Sequence, residues 1–158
     1  FARKIVLETE IKLKEFNYKL LHGILPCNIN LKQWKFKADD ECDVCQHQQS
    51  IKHLLWECSY VKSLWKKVED VCAFKITFDK ILGIEDCCKQ DRILTLISFL
   101  IYKEWLLLSL ENKKRQSIIK LEFYASELEL CQRIYESCSC YNPFDIEYIN
   151  LLLCHLSR

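Results

Sequence analysis

Apolar residues along this chain recur mostly at helical intervals. From Glu8 to Ile24, Leu13, Phe16, Leu20 and Ile24 return at three- and four-residue steps, with Leu21 beside them. That pattern predicts an amphipathic helix. Lys12, Lys14 and Lys19 lie among these positions, free to face solvent or phosphate, and Pro26 ends the run. Asn30 is the expected cap of a short second helix carrying Leu31 and Trp34. Ser50 is the expected cap of the next, which holds His53, Leu54, Leu55 and Trp56. From Ser59 to Cys72 the stripe is Val61, Leu64, Trp65, Val68, Val71 and Cys72.

The second half continues in the same way, with one ambiguous stretch. In residues 73–86, Phe74, Ile76 and Phe78 alternate like a strand, while Phe78, Ile81 and Leu82 fit a helical turn. Asp91 caps an apolar helix reaching Leu110. Its run from Ile93 is interrupted by Lys103 and Glu104, so it reads as a buried helix and not a membrane span. A basic turn, Lys113-Lys114-Arg115, precedes a helix over 117–137. There Leu121, Tyr124, Leu128, Cys131 and Tyr135 form one face of a helical hairpin, with a coiled-coil seam as the alternative. Asn142-Pro143 turns the chain into a last helix, Phe144 to His155.

Composition supports helices. Only two Gly and two Pro leave little material for the tight turns of an all-β fold. The expected class is mainly α: a small helical domain with a Cys3His zinc knuckle, followed by a helical hairpin or bundle. The expected division is residues 1–75, knuckle with flanking helices, and residues 76–158, a helical C-terminal segment, with one continuous domain as the alternative. The absence of Met and the start at Phe1 read as a piece of a longer polypeptide.

Net charge is only +1, but its distribution is uneven. Residues 1–37 carry eight Lys/Arg against three Glu, whereas residues 121–158 carry two Arg against six acids. A basic front and an acidic back fit a polyanion or a partner at one end. Two solvated helix faces are the plainer account. Eleven cysteines is an odd count. With no signal peptide in view, it points to a reducing, intracellular setting and not a disulfide framework.

The sharpest signal is Cys42-x2-Cys45-x7-His53-x4-Cys58. Cys-x2-Cys alone is weak in so cysteine-rich a chain. The return of His-x4-Cys completes a Cys3His set, a structural zinc donor set with no open position for water. One geometric difficulty stands out. His53 and Cys58 are five apart, about 140° from each other on an ideal helix. Either His53 lies at the helix start, or the helix loosens near Glu57 and Cys58. His47 is the rival imidazole, close behind Cys45. Asp43 and Glu57 are candidates to support the ligands. Cys72, Cys131 and Cys154 fall on apolar stripes and read as core. Cys87-Cys88 and Cys138-x-Cys140 sit near element ends.

The stretches LKEFNYKLLHGILPCN (13–28) and DDECDVCQHQQSIKHLLWECSYVKSLW (39–65) resemble the zinc-binding region that follows the reverse transcriptase domain in non-LTR (LINE-type) retrotransposons. Leu13, Phe16, Tyr18, Ile24, Leu25 and Pro26 match the first part of that pattern. Cys42, Cys45, His53, Leu54, Trp56, Cys58 and Trp65 match the second. The likeness is good over 10–70, looser through FDKILGI (78–84), and faint beyond about 115. It implies a non-catalytic appendage of an RNA-directed DNA polymerase that helps hold template RNA or target DNA, with one structural Zn2+. The acidic polymerase motif is absent, and Asp39-Asp40 after Lys37-Ala38 does not fit it. A Cys nucleophile working with His22 or His155 has no motif behind it.

Phosphate contacts are expected from Lys32, Lys35 and Lys37 before the knuckle, Lys52 within it, and Lys62, Lys66 and Lys67 after it. Trp34 is a candidate for base stacking, while Trp56 and Trp65 read as core. Expected partners are RNA and/or DNA and the polymerase domain of the same polyprotein, with no membrane and no small-molecule substrate. The alternative function is a protein-interaction or structural module docking on the polymerase or another chain.

Overall fold

A computed structural model describes residues 2–84, 91–116, 120–136 and 143–156. Among these the chain is helical, with no strand beyond a single bridge pairing Glu41 with Gln48. Seven α-helices follow in order: α1 (Ala2–Leu21), α2 (Asn28–Gln33), α3 (Ser59–Cys72), α4 (Phe78–Ile81), α5 (Asp91–Leu110), α6 (Leu121–Glu136) and α7 (Pro143–Leu156). A π-helical turn, His53–Glu57, lies just before α3. The mainly helical class read from the sequence is what the chain adopts.

Local chemistry sets the helix ends. α1 stops at Leu21, not at Pro26. Gly23 takes the left-handed conformation (φ 67) and the Ile24 N–H reaches back to the Lys19 carbonyl. Glycine meets no Cβ penalty there, so the chain turns three residues before the proline. α2 starts one turn earlier than expected, with Cys27 at its cap position. Asn30 instead donates through Nδ2 to the carbonyls of Gly23 and Leu25, at 3.0 and 2.8 Å, and ties the α1–α2 turn together. The ambiguous run 73–84 resolves as a turn and the short α4. Thr77 Oγ1 accepts from Lys80 N–H, Glu69 Oε1 accepts from Ile76 N–H, and Ile76 is buried. The Asp91 cap cannot be followed, because 85–90 lie outside the described residues; Asp91 itself begins α5. The predicted turn at Asn142 lies outside them too, and Pro143 occupies the first position of α7, where its missing N–H costs nothing.

α5 organises the interior. It packs against α1, α4, α6, α7 and the π turn. Leu94, Leu100 and Ile101 are fully buried, and Phe99 and Tyr102 both meet Phe16 of α1 at 5.6 Å between ring centroids. By length and composition Arg92–Leu110 satisfies the requirement for crossing a membrane, and just over half of that window (56%) is buried inside the protein. Its contacts are those of a core helix. α3 buries the stripe read from the sequence, with Val71 at its margin, and packs on α7 and the π turn. On α6, Tyr124, Leu128 and Cys131 are buried against that same interior, the arrangement of a hairpin face. One apolar cluster contains residues from Phe16 to Leu156.

A polar network sits inside this core. Glu104 of α5 is buried and accepts hydrogen bonds from Tyr60 of α3 on Oε1 and from Tyr124 of α6 on Oε2. Arg115, at the end of the basic turn, is buried. Its guanidinium lies 4.8 Å above the Tyr60 ring, donates to the Ile101 carbonyl at 2.8 Å, and comes within 4.0 Å of Glu104 Oε2. Burying a carboxylate is tolerable only with such partners. They join three helices around one charge.

Candidate metal centre

The four candidate ligands come from three short pieces of chain. The first is the turn Cys42–His47. Cys42 N–H donates to the His47 carbonyl and Gln46 N–H to the Cys42 carbonyl, at 2.8 and 2.9 Å. Gln46 takes the left-handed conformation (φ 59) that closes it. Glycine would be the ordinary choice. The turn places Cys42 in the interior and Cys45 at its edge. Backbone N–H groups of Cys45 and Val44 point at the Cys42 sulfur.

The second piece is the helix that Ser50 begins. As expected of a cap, Ser50 Oγ accepts from His53 N–H at 3.0 Å. The helix then widens. Cys58 N–H donates to the carbonyl of His53, five residues back, at 3.0 Å. This i→i+5 bond is the signature of a π-helical turn, rare and often found at functional sites. It answers the geometric difficulty in the sequence. Widening by one residue per turn brings position 58 back over position 53. Leu54 and Leu55, fully buried against the core, hold the turn in place at about 1.5–3 kcal/mol each. Trp65 adds a bond from its Nε1 to the Leu55 carbonyl at 2.7 Å. That carbonyl lies in the loosened segment, so the tryptophan supplies a partner there.

The third piece is the N-terminus of α3, where Cys58 holds the cap position. A thiolate there is favoured by the positive end of the helix dipole.

Together, Cys42 Sγ, Cys45 Sγ, His53 Nε2 or Nδ1 and Cys58 Sγ fall within 4.8 Å of one another. The Cys42 and Cys58 sulfurs are 3.7 Å apart. Two thiolates on a tetrahedral zinc, each bonded at about 2.3 Å, would be separated by about 3.8 Å. His53 Nε2 lies 3.2 Å from Cys45 Sγ, slightly inside the roughly 3.5 Å edge of such a tetrahedron. Three thiols and an imidazole, two of the thiols and the ring buried, fit zinc in chemistry and in spacing. The Cys42 thiol is pulled far below its ordinary value, first by its hydrogen bond with Cys58 and then by the backbone N–H groups around it. Cys58 is pushed up by the same hydrogen bond and by burial. Binding zinc would require the three thiols as thiolates and would release their protons.

His47 is turned away. Its Nδ1 lies 3.0 Å from the Cys45 carbonyl and the ring is exposed, so it is not among the four. The proposed supporting acids do not support the ligands. Asp43 is exposed, and Glu57 pairs with Lys52 at 3.1 Å. What braces the turn instead is a pair of amides that the sequence did not flag. Asn28 is buried and its Nδ2 donates to the Glu41 carbonyl at 2.6 Å. Gln49 is buried too, with Oε1 near Asn28 N–H and its own N–H on the Asp40 carbonyl. Their burial is set by tertiary contacts, so no spacing in the sequence marks them.

Other cysteines fall into two groups. Cys27, Cys72 and Cys131 are buried, with burial raising their thiols, Cys72 and Cys131 to about 11. Cys154, expected in the core, is exposed; the buried residues of α7 are Ile149, Leu152 and Leu156. Cys87, Cys88, Cys138 and Cys140 lie outside the described residues. His22 stacks on Tyr18 and His155 is exposed, and neither meets a cysteine among the described residues.

The lysines expected to contact phosphate lie on α2 and the turn after it, just before the π turn, and on α3. Lys32 pairs with Asp40 at 3.2 Å, Lys37 with Asp39 at 3.5 Å and Lys52 with Glu57. Lys35, Lys62 and Lys66 are exposed and Lys67 half-buried, with no carboxylate at ion-pair distance among the described residues. Trp34 is exposed (42%), Trp65 is buried, and Trp56 is half-buried with its ring 5.9 Å from that of Trp65.

Fold and site define a helical module around a closed Cys3His cluster. Residues 3–65 match the family model described as zinc-binding in reverse transcriptase. No curated protein and no solved structure matches the chain significantly. The match covers less than half of the chain and contains every member of the cluster. The matched segment and the donor set together support one structural zinc ion.

Proposed function

We propose that Cys42, Cys45, His53 and Cys58 hold this zinc, and that the folded region is a non-catalytic nucleic-acid-binding appendage of a retrotransposon reverse transcriptase. The observation that carries the reading is the closed cluster inside the matched segment. Four protein ligands leave no position for an activated water, so bound zinc would act as a cross-link that fixes three chain segments. Cys42 and Cys45 would bind through the turn, His53 through the π segment, and Cys58 through the start of α3. The cations Lys35, Lys62, Lys66 and Lys67, which have no carboxylate at ion-pair distance among the described residues, suit phosphate. The molecule would help hold template RNA or target DNA within an intracellular complex.

The test is binding of single-stranded RNA and duplex DNA by the zinc-loaded chain across a salt series. Counterion release predicts a steep linear fall of log K with log salt. Binding that is absent at low salt would refute the nucleic-acid role.

A second reading has its own support. Leu107 and Leu110 on α5, Leu130 on α6 and Leu151 on α7 are exposed, which fits docking on the polymerase or another chain. Loss of association with the polymerase domain on replacing Leu110 and Leu130 by Ser, with nucleic-acid binding unchanged, would favour it.

A further inference from the structure

Resting on the nucleic-acid reading above, we infer that Trp34-Lys35-Phe36 is a rigid stacking platform for single-stranded nucleic acid. The turn after α2 is unusual in two ways. First, its backbone is fully pinned. Lys35 N–H donates to the Lys32 carbonyl and Phe36 N–H to the Leu31 carbonyl, at 3.0 and 2.8 Å. These are the two bonds of a Schellman motif. The left-handed residue, ordinarily glycine, is Lys35 at φ 64. A side chain with a Cβ is disfavoured there, and a lysine gains nothing from the turn itself.

Second, the apolar residue that follows is left in water. In such a motif it usually folds back on the last helical turn. Here Phe36 is 80% exposed, the most exposed large apolar side chain among the described residues, and Trp34 is 42% exposed. Backbone strain and aromatic exposure are thus concentrated in one short, ordered turn. Folding alone explains neither.

The chemistry of the turn selects the partner. Two aromatic rings flank one cation. The neighbouring lysines, Lys32 and Lys37, are neutralised by Asp40 and Asp39, and Lys35 is not. An apolar protein segment would use the rings and leave the cation idle. A duplex offers phosphate but keeps its base faces stacked. A single strand offers both an accessible base face and a phosphate. Stacking on fixed aromatics with a nearby cation is how sequence-tolerant single-strand binding works.

The test titrates the zinc-loaded full chain against a fluorescein-labelled mixed-sequence RNA of about a dozen nucleotides. Unlabelled competitors are the same single strand, its DNA counterpart and the annealed duplex. Phe36→Leu and Trp34→Leu should each weaken single-strand binding roughly five- to a hundredfold. Phe36→Trp should retain it. Lys35→Gly should bind several-fold more weakly, with a shallower salt dependence, yet melt no lower than the parent because it relieves the left-handed strain. The RNA and DNA competitors decide which single strand is preferred. If Phe36→Leu binds like the parent, or the duplex competes as well as the single strand, the platform is refuted while the nucleic-acid reading stands. If the parent chain binds neither form, the failure is that of the nucleic-acid reading itself.

Discussion

The Cys58 N–H donates to the His53 carbonyl across five residues, so the two side chains meet although an α-helix would hold them apart. The π turn thereby makes an x4 spacing into a usable pair of ligands. The neighbouring imidazole should be dispensable. His47→Ala should keep zinc affinity within a few-fold, whereas His53→Ala should lose it by orders of magnitude, as read by competition with a chromogenic chelator. Equal losses would contradict the assignment of the donor nitrogen to His53.

Asn28 is expected to govern how long the site holds its metal. Its side chain carries the Glu41 carbonyl just before Cys42, and Asn28→Ala leaves that carbonyl without its partner. The cost should be about 1–3 kcal/mol in urea unfolding. Zinc release to excess chelator should also accelerate. Release at the parental rate would show that the turn is rigid without this brace.

Removing the buried carboxylate should be far more damaging than its size suggests. Glu104→Ala strands the Tyr60 and Tyr124 hydroxyls and leaves the Arg115 charge buried alone. A loss of about 3–5 kcal/mol is expected, measured by denaturant unfolding. Restoring neutrality with a second change, Arg115→Met, should recover part of it. A loss within about 0.5 kcal/mol would mean that the network contributes little.

Alkaline pH should destabilise the fold through the same tyrosines. Burial, then Glu104 beside them, raises both Tyr60 and Tyr124 above the ordinary tyrosine range. With folded values above the unfolded one, the unfolded chain loses these protons first as pH rises. Their contribution is therefore intact below about pH 10 and is lost above it, at about 1.4 kcal/mol per pH unit for each group. Unfolding free energies measured between pH 9 and 11 check this, and a flat profile would contradict it.

Much of this architecture can be read from spacing. The α3 stripe, the Ser50 cap and the α6 face follow from helical periodicity, because each depends on neighbours three or four residues away. The gathering of Cys42, Cys45, His53 and Cys58 was legible from their types and intervals. What was hidden depended on tertiary contacts or on backbone states that the residue type disfavours. Gln46 and Lys35 take left-handed conformations where no glycine marks them. Arg115 reads only as part of a basic turn, yet Glu104 and the Tyr60 ring hold it inside. Asn30 looks like a cap, but the chain starts α2 earlier and uses its amide to close the preceding turn. Phe36 gave no periodic signal at all. Its interest comes only from its exposure.

The central claim is that zinc holds this end of the protein together. The most direct measurement is elemental analysis of the purified 158-residue chain beside a Cys58→Ser variant, each followed by thermal unfolding. One zinc per parent chain is expected, with its loss in the variant and a large drop in melting temperature. A parent that is folded, cooperative in unfolding and free of zinc would contradict it.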